Sequence, residues 1–364
     1  MQNLRKKFPV LNQCLYANTA SAGLLSEDLM EWRQGHDLDY LIGGSEMKLK
    51  GFAHMPEIKK TLGKFFKCKP ENVALIPNFS LGFNLLLEGL PKDKKVLLVN
   101  KDYPSVNWPF ETRNFKRDYV DADEHMEENI HAKVKKGDVD ILALSLVQWV
   151  DGVRIDFDFL KDLKKEFPNL MILADGTQYC GTESFDFEKS GIDILGTSAY
   201  KWMLAGYGNG FFLVKDDVMD QFVLRGIGNG SVDNDASKRN SITFCKSLEP
   251  GHLDSLNFGS LEFAVKFLDE IGLEDVQAQL QKLSKKAISA FSELDLLQPA
   301  ITKRKQHSTI FNIKGDQKLF NKLTAENVVA SARGGGIRLS FHCYNTEEEI
   351  DVIATLLKRW GSNA

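Results

Sequence analysis

The sequence predicts an α/β fold: a large domain around a mainly parallel central sheet, and a smaller α+β domain toward the C-terminal end. Three observations carry this. From about residue 70 to 215, short and nearly all-apolar runs alternate with helical patterns. Residues 226–239 then turn rich in Gly, Asn, Asp and Ser, the composition of a loop. Beyond that stretch come two long helical patterns, then strand, loop, strand and helix.

Taken in order, Val73–Ile76 reads as a strand and 81–90 as a helix. Lys95–Val99 and 140–146 read as strands, 157–167 as an amphipathic helix, and 170–174, 192–197 and Gly210–Val214 as further strands. Strands this uniformly apolar are buried on both faces, as in parallel sheets flanked by helices. The tail begins with helices over Ser255–Ile271 and 273–294 and continues with strands over 308–313 and 336–341. Thr346 is positioned to cap the last helix, with Glu347, Glu348 and Glu349 in its first turn. The expected division is 15–254 for the large domain and 1–14 plus 255–364 for the small one.

Composition narrows the function classes. A net charge of −4 and a pI near 6.0 give no basic field for nucleic acid. No apolar run is long enough to cross a bilayer, so no membrane partner is expected. The opening MQNLRKKFPV is basic but lacks the apolar stretch and cleavage site of a secretory leader, which points to the cytoplasm. The cysteines Cys14, Cys68, Cys180, Cys245 and Cys343 form no CxxC pair and read as free thiols. The histidines show no metal spacing, and no metal is expected.

The stretch with chemical content runs from Leu173-Ala174-Asp175-Gly176-Thr177-Gln178 to Ser198-Ala199-Tyr200-Lys201. Asp175 ends one apolar strand and Lys201 closely follows another. In open α/β sheets ligands bind beyond the carboxyl ends of strands, so both residues reach one sheet edge. An aspartate and a lysine there suit pyridoxal 5′-phosphate (PLP): the carboxylate keeps the pyridine nitrogen protonated, while the lysine holds the cofactor as a Schiff base and moves the α-proton. The ordinary alternative is two strand-end residues, or a salt bridge.

On these residues the sequence resembles the class V aminotransferase family of fold-type I PLP enzymes. That family includes aminotransferases, cysteine desulfurases, kynureninases and isopenicillin-N-epimerase-like proteins. The resemblance runs from Tyr16-Ala17-Asn18-Thr19-Ala20 to the closing helix. It implies that Gln178 donates to the ring's phenolic oxygen and that Ser198 and Tyr200 bind the phosphate. Pro77-Asn78-Phe79-Ser80 matches the family's first phosphate turn. Phe79 offers only its backbone N–H there, and Ser80 adds a hydroxyl unless it simply caps a helix. Tyr103, in Asp102-Tyr103-Pro104-Ser105, would stack on the ring. Arg338, in the stretch 334–346 that carries the signature with Tyr344-Asn345-Thr346, would clamp the substrate α-carboxylate. Gln148 and Trp149 would face the substrate, with Trp149 as readily a core residue. His252 stands where the family has a Thr that reaches a neighbouring subunit's phosphate. A homodimer with shared sites is therefore implied.

The expected reaction is transamination between an amino acid and a 2-oxo acid. Epimerisation or lysis on the same scaffold is the alternative, and a PLP-fold binding protein without catalysis is the non-enzyme reading. Cysteine desulfurases need a nucleophilic Cys ahead of the carboxylate-binding Arg, and residues 325–336 contain none.

Overall fold

The computed structural model describes residues 2–361. Strands are numbered in chain order: β1 Leu15–Tyr16, β2 Val73–Ile76, β3 Lys95–Val99, β4 Lys116–Val120, β5 Ile141–Ser145, β6 Met171–Asp175, β7 Ile194–Ser198, β8 Gly210–Val214, β9 Ile310–Ile313, β10 Val328–Val329, β11 Ser331–Arg333 and β12 Gly336–Ser340. The central sheet has seven strands in the order β2-β8-β7-β6-β5-β3-β4. Neighbours from β4 through β7 are parallel, whereas β8 runs antiparallel to both β7 and β2.

Every residue of β2, β5, β6, β7 and β8 is buried. Two apolar layers lie on opposite faces of the sheet, because alternate side chains of one strand point opposite ways. Val73 and Leu75 join one layer, and Ala74 and Ile76 the other. Strand β4 was not evident in the sequence. Its pattern, Lys-Arg-Asp-Tyr-Val, is that of an exposed edge, with charges where an unpaired strand faces water.

Two helices near the start of the chain, Glu27–Gly43 and Ser45–Phe66, were likewise not anticipated. The second packs on Ser255–Ile271. The expected loop at 226–239 contains two short 3₁₀ turns, Asn229–Val232 and Ala236–Asn240.

A separate core under the smaller sheet gathers Leu283, Phe291, Phe311, Leu339, Ile353 and Leu357. This sheet has the order β11-β12-β9, all antiparallel. The start of the chain reaches into this part of the molecule. Strand β1 pairs with β10, and Asn18 bridges Ser340. Tyr344 and Thr19 share a hydroxyl–hydroxyl bond of 2.6 Å, and Asn345 Nδ2 donates to the Tyr16 carbonyl at 2.9 Å. The Tyr344-Asn345 pair is thus a clip holding the N-terminal segment across the end of the large sheet.

Candidate active site

Asp175 is the last residue of β6, and β7 runs beside it with Gly196 opposite. Three residues past the end of β7 the chain reaches Lys201. Gly23 fixes that turn: its N–H donates to the Tyr200 carbonyl at 2.9 Å, and a Cβ on Gly23 would fall 2.0 Å from the Lys201 carbonyl. Only glycine allows so close an approach.

Lys201 is 5% exposed. Among the described residues no carboxylate lies within ion-pair distance of its ammonium. The ammonium instead lies over the rings of Tyr103 and Tyr200, 5.5 Å from each centre. Burial pushes this lysine well below the usual amine range, with Arg338 and Arg333 adding to the effect and Asp175 opposing it. Asp175 moves the other way: burial raises its carboxyl, Asp102 adds to the rise, and hydrogen bonds from Thr177 oppose it.

The helix Phe79–Glu88 starts at the same edge. Its N-cap, Asn78, accepts from Leu81 N, so capping falls to Asn78 and leaves the Ser80 hydroxyl free for another partner. Phe79 N donates to Ser198 Oγ at 2.9 Å, and the Ser80 and Ser105 hydroxyls share a 2.6 Å bond. Ser105 lies in the first turn of the helix Pro104–Thr112. Two helix starts thus converge on four donors (Phe79 N–H, Ser80, Ser105 and Ser198), a cradle suited to a phosphate. The Phe79 ring is buried against Phe83 and Phe212, so this residue supplies backbone only.

Tyr103 N–H donates to its own neighbour, the Asp102 carboxylate. That carboxylate also accepts from Ser145 N at 2.7 Å, Ser145 Oγ at 2.5 Å and Gln148 Nε2 at 3.2 Å. Gln148 is buried with its amide turned to Asp102, so the residue expected to face substrate instead braces the segment bearing Tyr103. Trp149 is half-buried, meets the Tyr103 ring edge-on at 5.7 Å and donates from Nε1 to the Lys101 carbonyl.

Gln178 is buried rather than superficial. Its Nε2 donates to the Ala20 carbonyl and its Oε1 accepts from Trp202 Nε1 at 2.7 Å. In this state the amide anchors the N-terminal segment and the Lys201 turn to each other. Tyr200 stacks on Tyr207 at 4.5 Å; its ring borders Lys201, and no hydrogen bond links its hydroxyl to the serine cradle. His252 packs on Phe52 and approaches Asn229 and Asn234. Within one chain it joins none of the groups around Lys201.

Arg338, on β12, is 1% exposed. Its Nη1 donates to the Trp149 carbonyl and its Nη2 to Ser21 Oγ, both at 2.6 Å, while Nε is buried without a partner. A guanidinium carries five N–H donors, and these two bonds leave three. Sequence reasoning missed Asp102, Ser105, Ser145 and Ser21. Asp102 carried a signal, since like Asp175 it is an acid just past an apolar strand.

The model for aminotransferase class-V matches residues 43–353. The chain belongs to the class V aminotransferase family. Its cofactor is PLP, as in that family, and the buried unpaired Lys201, the serine cradle and the orphaned Arg338 Nε fit that group. Among its relatives, a probable cysteine desulfurase of Pyrococcus abyssi is 20% identical, over 98% of this chain and 96% of its own length. An uncharacterized aminotransferase of Schizosaccharomyces pombe is 29% identical over 55% of this chain and 54% of its own. The fold is that of an apo cysteine desulfurase from Thermococcus onnurineus, with TM-score 0.87, 19% identity and coverage of 100% and 98% of the two chains. It is also that of the cystine C–S lyase C-DES in complex with cysteine persulfide, with TM-score 0.81, 17% identity and coverage of 96% and 98%.

Proposed function

We propose that this enzyme transaminates a free α-amino acid. The single observation behind the reading is the pairing of a buried, unpaired Lys201 with a buried guanidinium, Arg338, that keeps donors to spare. Bound PLP supplies an electron sink for charge developing at the substrate α-carbon. Lys201 would hold the cofactor and, its amine depressed below the usual range by burial, would carry a proton to and from the α-carbon. Asp175 would hold a proton on the ring nitrogen, Tyr103 would stack on the ring, and Phe79 N–H, Ser80 and Ser198 would bind the phosphate. Arg338 orients the substrate by its α-carboxylate.

The test is a panel of amino acids with a 2-oxo acid acceptor. Transfer of the amino group, with stoichiometric 2-oxo acid from the donor and none in Lys201→Ala, supports the proposal. Elimination products formed without an acceptor would overturn it in favour of a lyase. The likeness to the cystine lyase keeps that second reading in view. A cysteine nucleophile of the desulfurase kind has less support. Cys68, Cys180, Cys245 and Cys343 are buried, and Cys14 and the other four thiols are all pushed above their usual range by burial.

The proposal includes a homodimer. It is supported by large apolar side chains left open on one chain, among them Leu41 at 80%, Ile42 at 78%, Leu49 at 69% and Trp108 at 61% exposure.

A further inference from the structure

The hairpin β11–β12 carries a second guanidinium. Its two-residue turn, Gly334-Gly335, has φ of +65° and +76°, the left-handed pair that closes a tight hairpin. A Cβ on Gly334 would fall 2.2 Å from Val150 Cγ1, so the turn is seated against the segment that follows Trp149. Asn312 Nδ2 donates to the Arg333 carbonyl at 2.8 Å and fixes the strand end. In the register Ser331 faces Arg338 and Arg333 faces Gly336. Arg333 and Arg338 are therefore diagonal neighbours on one face of the hairpin.

The Arg333 guanidinium lies 5.7 Å from the centre of the Trp149 ring. Trp149 in turn meets Tyr103, which borders Lys201. Arg333 is exposed, and among the described residues no carboxylate is within ion-pair distance of it. Its charge is nevertheless felt inside, where it disfavours protonation of both Lys201 and Arg338.

The charges of a bound α-amino acid leave this group over. Asp175 answers the ring nitrogen, the serine cradle the phosphate, and Arg338 the α-carboxylate. Arg333 remains as an uncompensated cation at the rim, 5.7 Å over the Trp149 ring. We propose that Arg333 is a subsite for an anionic side chain, so that the enzyme takes α-amino acids ending in a second carboxylate: aspartate, glutamate or a longer homologue. This rests on the reading of the site as one for PLP and free amino acids. A guanidinium at a rim, placed over an aromatic ring, binds such a carboxylate by paired N–H donors.

The experiment is an equilibrium titration of the holoenzyme, followed by the visible spectrum of the bound cofactor. The ligands are L-aspartate, L-glutamate and L-2-aminoadipate against the amides L-asparagine and L-glutamine. The best acid is expected to bind about ten-fold more tightly than its amide. Added salt should narrow that ratio, and Arg333→Gln should bring it close to one. A thermal midpoint of R333Q equal to wild type guards against misfolding. Equal affinity of acid and amide in the wild type, or an R333Q variant that weakens both in proportion, overturns the subsite while leaving the amino-acid reading intact. A spectrum that no amino acid perturbs overturns both.

Discussion

At the scale of single residues the site works by denying charges their usual partners. Lys201 has aromatic rings where a carboxylate would stabilise its proton, and Arg338 is anchored through two donors with three left. Replacing Arg338 by Gln should raise the concentration of amino acid needed for half-maximal spectral change by roughly 10- to 100-fold, the range of charge-assisted hydrogen bonds. The cofactor held through Lys201 should remain, because Arg338 is anchored on Trp149 and Ser21 rather than on that lysine. A variant that lost the cofactor as well would show Arg338 to be structural. Asp175 and Lys201 were legible in the sequence because one ends an apolar strand and the other closely follows one, and Arg338, inside β12, because it lies in a specific motif. The roles of Gln148 and Gln178 were not. A glutamine can donate and accept in any direction, and only the packing shows that one faces Asp102 and the other joins Ala20 to Trp202.

At the scale of elements, the strap between β12 and the last helix packs against the Lys201 turn. His342 is fully buried and stacks on Trp202 and Tyr344, with ring centres at 5.4 and 4.9 Å. Its Nδ1 accepts from Cys343 N at 2.7 Å and its Nε2 donates to the Trp202 carbonyl at 3.0 Å. That pair of bonds requires a neutral ring, and burial lowers its pKa to about 4. An unfolded histidine titrates near ~6.5. Between those values the unfolded chain takes up a proton that the folded chain refuses, so this contribution is full above pH ~6.5 and is lost as pH falls toward ~4. Up to about 3 kcal/mol is at stake. The raised carboxyls of Asp102 and Asp175 act in the opposite sense, favouring the folded state as pH falls. His342→Gln isolates the histidine: its urea midpoint should drop less than that of wild type between pH 7 and 5. Equal slopes for the two proteins would refute this. The sequence showed most of the sheet because its strands are uniformly apolar. It concealed β4, the helices at 27–66 and the hairpin strand β11, whose charged or mixed patterns carry little periodic signal.

At the scale of the whole molecule, two cores cover the opposite faces of the seven-stranded sheet and a third fills the small sheet. Side chains such as Leu41, Ile42 and Trp108 remain for another surface to cover. Light scattering of the holoenzyme should give twice the 41.0 kDa chain mass, and a mass of one chain would contradict the dimer. Substituting Leu41 and Ile42 together by Glu should shift the mass toward one chain, since desolvating charges on an apolar face opposes association. Neither partner contact nor assembly could be read from periodicity, which reports only that a face is apolar.

The pairing of β1 with β10 also sets an order of events. Asn18 meets Ser331 across 313 residues of chain, and Arg338 takes one of its two anchors from Ser21. During synthesis the large sheet can close as soon as β8 has emerged, while β1 and Asn18 still lack their partners. The anchored Arg338 can form only after the hairpin arrives, so the last part made completes what the first part began. Closing so long a loop is entropically costly and slow compared with local pairing. On refolding, burial of the large core should precede recovery of amino-acid binding.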